Sequence, residues 1–263
     1  MAEYTIKHDP TEEKIDTFRA TPFSRKKQLW LTIELGANLF KHLDRSTMAV
    51  QVAIQQIQIP AGQRVCLSAI NWPQFEEILI ELGDHRGSRI AYSQGTLEIR
   101  MPLPEHERAK VLISHLLVVL LEELGLDWES LGSTTFKRKT MLAGIEPDDC
   151  FYIQNYAAVV GKKRLDLEID PVPDLAIEVD LTSYTQISAY EALGIPEIWR
   201  YKAGQLIVST LQNGQYQESL RSQLFPNFPI IEGFSLFLAK SAEAPMSVLR
   251  KEFRTWTRNQ LLA

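Results

Sequence analysis

Apolar side chains recur every three or four residues in several parts of the chain, which is the spacing of one face of an α-helix. The longest such pattern predicts a helix from about Glu105 to Leu124. Similar spacing predicts a helix between Trp72 and Gly83 and a final amphipathic helix from about Met246 to Leu262. Each helix must pack its apolar stripe against another part of the protein.

Short segments bounded by turn residues have the composition of β-strands. Residues 89–92 and 96–101 flank Ser93-Gln94-Gly95, which predicts a hairpin. Further strands are predicted at Cys150 to Ile153, Leu175 to Leu181, Glu197 to Tyr201 and Leu206 to Leu211. A helix from the capping-box pattern at 183–186 to Gly194 is expected between two of these strands. This mixed order of strands and helices predicts an α/β fold.

The first 59 residues differ from the remainder of the chain. A basic stretch at residues 25–27 leads into a mixed segment, expected to be helical, that runs toward Phe40, and a Gln-rich run precedes Pro60. The predicted domains are a helical or irregular extension (1–59), a main domain (60–240) and a C-terminal helix (241–263). One hypothesis is that residues 1–47 come from an upstream start codon, with the functional unit starting at Met48.

Charge and cysteine content narrow the range of functions. The formal net charge is −5, which argues against broad coating of nucleic acid, so any contact with DNA must be local. Cys66 and Cys150 are too few for a disulfide scaffold and are expected to be reduced thiols. No apolar run reaches the roughly 18 residues of a membrane span, and the N-terminus lacks signal-peptide features, so a cytoplasmic location is expected.

The strand predicted at 175–181 carries acidic residues on one side. Because side chains alternate along a strand, Asp174, Glu178 and Asp180 project one way while the apolar residues between them project toward the core. Asp148 immediately precedes another predicted strand, so it can meet Glu178 across the pair. Burial of unpartnered carboxylates costs several kcal/mol, and Mg²⁺, which prefers oxygen ligands, would offset that cost. The alternative is that these acids are solvated at strand starts.

The first turn of the helix at 105–124 provides two further candidates. Steps of about 100° per residue place His106 near the apolar stripe and Glu107 toward the polar side, so His106 is expected to point inward. The remaining histidines are expected to be ordinary surface or hydrogen-bonded residues: His8, His42, His85 and His115.

Four short motifs follow one another along the chain: Pro104 to Glu107, Glu146 to Asp148, Pro173 to Asp180 and Tyr190 to Trp199. In this order and spacing they resemble the bacterial putative restriction endonuclease family of the PD-(D/E)XK nuclease superfamily. The resemblance covers about residues 60–229. It implies a restriction-endonuclease-like fold, in which helices flank a central mixed β-sheet.

The resemblance also implies a function and its site residues. It implies Mg²⁺-dependent hydrolysis of phosphodiester bonds in DNA, with Mn²⁺ as a substitute, at a catalytic metal site formed by Asp148 and Glu178. His106, or alternatively Glu107, matches the first-helix position that helps to hold the metal or its water. Asp180 occupies the position two residues after the acid, where the superfamily pattern has a lysine.

The missing lysine leaves the source of positive charge open. Substrate phosphate could be bound by Lys162, Lys163 and Arg164, or by the cluster at 137–139, although such charge runs are equally typical of solvated loops. In relatives a basic residue can come from the start of the next helix, where this chain has Tyr184 and Gln186.

Three functions therefore stay open at the level of sequence. The first is a Mg²⁺-dependent DNA endonuclease, and the second is a catalytically degenerate nuclease fold that binds DNA or a protein partner. The third is an unrelated metal-dependent hydrolase that acts on a small substrate. Cleavage of both DNA strands with one active site per chain would favour a homodimer.

Overall fold

The structure, a computed structural model, describes residues 2–5, 17–25, 28–35, 49–83, 87–180 and 187–262. The chain divides into two compact units, residues 1–102 and 103–263. No helix in these described ranges is long and apolar enough to cross a membrane. Several positions singled out in the sequence lie outside the described residues: Met48, His8, His42, His85 and the capping-box segment 183–186.

The first unit begins with four antiparallel strands that are hydrogen-bonded in chain order. They are β1 (Ala2–Thr5), β2 (Thr17–Arg25), β3 (Gln28–Leu35) and β4 (Ala49–Ala53). The prediction of a helical segment that runs toward Phe40 is therefore wrong for residues 28–35, which form a strand. Aromatic and β-branched residues in β3, such as Trp30 and Ile33, favour an extended backbone once strands on both sides pair with it.

In the remainder of the first unit the predicted helix and hairpin are confirmed, and a strand that was not predicted, β5 (Arg64–Leu67), precedes them. The helix is α1 (Trp72–Leu82), and the hairpin consists of β6 (Arg89–Ser93) and β7 (Thr96–Arg100). β7 pairs with both β5 and β6, and the predicted hairpin turns at Gln94 and Gly95 with φ of 45° and 87°. α1 begins with a capping box between Asn71 and Gln74.

The second unit contains a mixed six-stranded sheet and, outside that sheet, a short hairpin. After α2 (Pro104–Leu124), the chain forms β8 (Glu129–Ser130), β9 (Phe136–Arg138), β10 (Ala143–Ile145), β11 (Asp149–Tyr152), β12 (Leu175–Val179), α3 (Ile187–Leu193), β13 (Glu197–Lys202), β14 (Gln205–Gln212) and β15 (Gln215–Ser219). The six strands lie in the order β15-β14-β13-β12-β11-β8, and β9 pairs with β10.

β12 pairs in two different ways with its neighbours in this sheet. β12 runs parallel to β13 and antiparallel to β11. A parallel pair needs a crossover connection, which the segment containing α3 provides. The predicted mixed sheet flanked by helices is confirmed.

Helices α2, α4 (Ile230–Ala239) and α5 (Met246–Leu262) pack on one face of the sheet and form the main core with it. A side chain at Gly233 would collide with Trp256, so glycine allows α4 to lie close to α5. Arg254 and Arg258 pair with acidic residues at the end of α2. The helix predicted from Met246 to Leu262 is confirmed.

Candidate active site

The two faces of β12 have opposite chemical character. Ile177 and Val179 point into the core that includes α2, as the alternation predicted, and are 0% exposed. Glu178 points to the other face and is also 0% exposed. A fully buried carboxylate must be held by hydrogen bonds or by a cation.

Asp148 stands opposite this glutamate. The antiparallel ladder ends at the pair Asp149 and Ile177, and Asp148 directly precedes β11, so a continuation of the same register would place Asp148 across from Glu178. The Val179 amide donates a hydrogen bond to Asp148 Oδ2 at 2.8 Å. Asp148 is only 3% exposed. The structure therefore brings together the two acids that the sequence selected.

The neighbouring aspartate belongs to the opposite face. Asp149 accepts hydrogen bonds from the hydroxyls of Ser114, at 2.5 Å, and Ser130, at 3.0 Å. Ser114 lies on α2, so its hydrogen bond to Asp149 connects this helix to the sheet. The adjacent residues Asp148 and Asp149 thus have different surroundings: Asp149 contacts α2 and β8, and Asp148 contacts the β12 backbone next to Glu178.

A tyrosine from the crossover helix contacts the glutamate. The Tyr190 hydroxyl on α3 donates a hydrogen bond to Glu178 Oε1. Both residues are fully buried, and the bond limits the rotamers that the glutamate side chain can adopt. The position of this carboxylate is therefore set by a helix as well as by its own strand.

The donor set of these acids fits a divalent cation. Side chains directly opposite in an antiparallel pair have Cβ atoms about 4.5 to 5.5 Å apart, which allows two carboxylates to reach one ion. Each carboxylate has about four lone-pair sites, so the bonds from Val179 and Tyr190 do not exhaust its capacity. No group of three or more His, Cys, Asp or Glu side chains arranged to hold a metal occurs in the described residues, so such an ion would need water or substrate oxygens as well.

Asp180 and two basic residues border this pair. The Asp180 amide donates to the Tyr201 carbonyl at 2.9 Å, and Asp180 is 5% exposed. Glu178 is in register with Arg200 on β13, and one further step of the register places Asp180 beside Lys202. Asp180, which stands where the superfamily pattern has a lysine, therefore lies next to basic residues of the neighbouring strand β13.

His106 and Glu107 lie in the first turn of α2, which packs on the face opposite to Glu178. His106 is buried, as expected, at 4% exposure. The Glu107 carboxylate is 42% exposed and forms an ion pair with Lys110 at 2.6 Å. Whether either residue acts at the site stays a prediction.

The predicted phosphate-binding residues belong to the segment between β11 and β12. Because β11 and β12 are antiparallel, this connection leaves the hairpin at the end opposite to Asp148 and Glu178. Lys162 pairs with Asp170 and lowers the pKa of that carboxyl through a hydrogen bond and its charge. Lys163 and Arg164 are exposed. The connection that carries this cluster therefore begins at the far end of the hairpin from the acids, and its role in phosphate binding stays a prediction.

Two other acids of the recognised motifs have structural partners. Asp174 Oδ2 accepts hydrogen bonds from the backbone amides of residues 153, 154 and 155. Glu197, which is 0% exposed, accepts hydrogen bonds from Trp199 Nε1, the Ser222 hydroxyl and the Gln223 amide. These motifs therefore combine residues that hold the fold with residues that face the site.

Tyr190 and Arg200 were not selected as site residues from the sequence. Tyr190 has the spacing of an apolar helix stripe, so nothing local distinguished its hydroxyl from a core side chain. Arg200 left a usable signal, because it alternates with Trp199 and Tyr201 along the strand and so projects from the face opposite to theirs. Its pairing with Glu178 could be found only from the strand order.

The chain was compared with models of known protein families and with curated proteins. The sequence model of Uma2, described as a putative restriction endonuclease, matches residues 72–239. No curated protein matches the chain. The matched range includes Asp148, Glu178 and Tyr190.

Proposed function

The chain belongs to the Uma2 family of putative restriction endonucleases, and we propose that it is a Mg²⁺-dependent DNA endonuclease that hydrolyses phosphodiester bonds. The observation that carries this proposal is the hydrogen bond from the Val179 amide, next to Glu178 in β12, to the carboxylate of Asp148 at the start of β11. Both carboxylates are buried on adjacent strands, and in this proposal they share one ion, as in a metal-dependent hydrolase.

In this proposal the two acids hold the ion and fix its position relative to the DNA backbone. A bound Mg²⁺ would supply Lewis-acid chemistry, which activates water and offsets negative charge at the phosphate. Mn²⁺ could take the same oxygen ligands. The hydrogen bonds from the Val179 amide and the Tyr190 hydroxyl keep both carboxylates oriented before substrate arrives.

The other candidate residues have subsidiary roles in the proposal. Asp180 extends the acidic edge beyond Glu178, and His106, or Glu107 in its place, orients water from the start of α2. Lys162, Lys163 and Arg164 would contact flanking phosphates of the duplex and not the scissile one, because they are attached at the other end of the hairpin. We also propose that the protein lies in the cytoplasm, where genomic DNA is accessible. It would act there as a homodimer, whose two sites cut both strands.

The second candidate is a degenerate nuclease fold that binds DNA or a protein partner without cleaving DNA. The observation that favours it is the aspartate at position 180, where the superfamily pattern has a lysine. Cleavage of DNA distinguishes the two candidate functions, since both have the same fold.

The decisive experiment incubates purified protein with supercoiled plasmid and either Mg²⁺, Mn²⁺ or EDTA. Asp148→Asn and Glu178→Gln keep side-chain size and remove one charge from the site, whereas Asp149→Asn makes the same change on the opposite face. We expect the parent and Asp149→Asn to nick DNA with a divalent ion, and the two site variants to be slower by on the order of 100-fold or more.

Mn²⁺ binding, followed by electron paramagnetic resonance, should weaken in Asp148→Asn and Glu178→Gln and not in Asp149→Asn. Two results would count against the endonuclease. Equal nicking by all four proteins would assign the cleavage to a contaminant or another site. DNA binding without nicking in any ion would support the degenerate binding protein.

A further inference from the structure

Arg200 is the basic residue in register with Glu178. β12 and β13 are parallel, and Glu178 pairs with Arg200 in their ladder. Side chains at laterally paired positions project from the same face of a sheet, so the Arg200 side chain leaves β13 on the face of the two acids, and its guanidinium group extends toward Ser209 on β14 and Glu218 on β15. The Arg200 side chain is 17% exposed, which leaves part of it accessible to a ligand.

The protein satisfies the hydrogen-bonding capacity of Arg200 only in part. Arg200 Nη2 lies 3.4 Å from Ser209 Oγ and 3.3 Å from Glu218 Oε1, and the glutamate side chain is 71% exposed. Exposed ion pairs of this length contribute little. Arg200 Nε is buried and has no hydrogen-bond partner in the part of the chain that the structure describes.

An unsatisfied donor of this kind is costly in a folded protein. Leaving a buried donor without an acceptor costs about 1 to 3 kcal/mol, and a guanidinium group has five donors in a planar fork. Phosphate oxygens match that fork in pairs. A phosphate group would therefore supply acceptors that suit this side chain.

We propose that Arg200 binds the scissile phosphate of DNA beside Glu178. This proposal rests on the proposed endonuclease function and supplies the positive charge that position 180 does not. It also distinguishes Arg200 from Lys162, which pairs with Asp170 at the other end of the hairpin. Lys202, which stands beside Asp180, is the competing candidate.

Arg200 acts by charge and hydrogen bonding and transfers no proton, because a guanidinium group stays protonated in proteins. In hydrolysis the water oxygen forms a bond to phosphorus, the bond to the leaving oxygen breaks, and the proton of the water passes to solvent or to the leaving oxygen. Arg200 stabilises the phosphate oxygens as negative charge increases on them.

The test compares Arg200→Gln, Arg200→Lys and Lys202→Gln with the parent protein. Arg258→Gln is the matched control, because it removes the same group from the surface of α5, where Arg258 pairs with Glu123. Affinity for a short DNA duplex is measured by fluorescence anisotropy with Ca²⁺ at several salt concentrations. Nicking with Mg²⁺ and Mn²⁺ binding are measured on the same preparations.

We expect Arg200→Gln to reduce the slope of log affinity against log salt concentration by the amount that corresponds to the loss of about one phosphate contact. Its nicking rate should fall by on the order of 100-fold, while its Mn²⁺ affinity stays within about twofold of the parent because the two acids are intact. Arg200→Lys should recover part of the rate, since it keeps the charge and loses the fork. Arg258→Gln should behave as the parent.

The outcomes separate this proposal from the endonuclease itself. Nicking by the parent and equally by Arg200→Gln would overturn the role of Arg200 and leave the endonuclease standing. A loss confined to Lys202→Gln would assign the phosphate to Lys202 instead. A parent that neither binds nor nicks DNA would overturn both proposals. If Arg200→Gln is misfolded by circular dichroism, Arg200→Lys decides the question, and parent-like binding and rate in that variant would refute a guanidinium-specific contact.

Discussion

The Tyr190 hydroxyl donates a hydrogen bond to Glu178 Oε1, and this bond connects the crossover helix α3 to the acid at the centre of the site. Both side chains are fully buried. A neutral donor of this kind stabilises the charged carboxylate and restricts its rotation. The helix that joins the parallel strands therefore also positions a proposed metal ligand.

Replacement of Tyr190 by phenylalanine should weaken metal binding without removing either acid. Loss of a hydrogen bond to a metal ligand commonly costs about 10 to 100-fold in affinity, and we expect Mn²⁺ titrations of Tyr190→Phe to fall in that range. Tyr216→Phe is the control, because its hydroxyl donates to the Ile195 carbonyl at 2.6 Å. Equal Mn²⁺ affinity in Tyr190→Phe and the parent would remove Tyr190 from the site.

Substitution of Glu197 should lower stability and leave the chemistry of the site intact. Glu197→Ala would leave the Trp199, Ser222 and Gln223 donors without their buried acceptor. We expect the free energy of unfolding in urea to fall by about 3 kcal/mol or more. Glu252→Ala, which breaks an exposed pair with Lys240, should cost less than about 1 kcal/mol. Similar losses in the two variants would contradict this role of Glu197.

The thiol of Cys150 should be unreactive in the folded protein. Burial raises its pKa from 9.0 to about 12, so the folded state keeps a proton that the unfolded state loses above about pH 9. The stability that the neutral thiol contributes is present below pH 9 and is lost as the pH rises toward 12. Thiol titration at pH 8 should label Cys66, which is partly exposed, and reach Cys150 only after denaturant is added.

Alkaline unfolding provides the second measurement for this thiol. The free energy of unfolding should fall between pH 9 and pH 11 in the parent, and less steeply in Cys150→Ala, which has no thiol to titrate. Rapid labelling of both cysteines in the native protein at pH 8 would show that Cys150 is not protected.

His106 should matter more than the other described histidine of the same helix. His106 is 4% exposed in the first turn of α2. His115 lies farther along the helix, and burial together with the charge of Arg250 lowers its pKa. If His106 orients water at the site, His106→Gln should slow nicking by about tenfold or more, whereas His115→Gln should stay near the parent. Equal rates in the two variants would leave His106 a structural residue.

Local patterns were sufficient for several elements. The stripe of α2, the amphipathic spacing of α5 and the turn at Gln94 and Gly95 are properties of adjacent residues, and all three are confirmed. The prediction of secondary structure from the sequence failed where the local pattern of residues did not decide the structure. Residues 28–35 are a strand because partners on both sides pair with them, and no helix was predicted at Ile230–Ala239, where α4 lies.

The candidate site was predictable to a similar extent. Alternation along one strand identified Glu178, and the position of Asp148 just before another strand suggested a meeting that the register supports. The cluster at 162–164 was selected because it lies between the two acids in sequence. Its attachment at the far end of the hairpin follows from strand direction, which a charge pattern does not encode.

By itself the sequence determined the periodicity of helices and strands, the turn positions and the identity of the paired acids, because these depend on neighbouring residues. Tertiary structure alone decided that β13 lies parallel to β12, which places Arg200 beside Glu178, and that α3 brings Tyr190 to the same carboxylate. Such contacts join residues 12 and 22 positions from Glu178. They exist only when strands pair and helices pack, since the order of strands in a sheet is fixed by burial of their faces and not by local propensity.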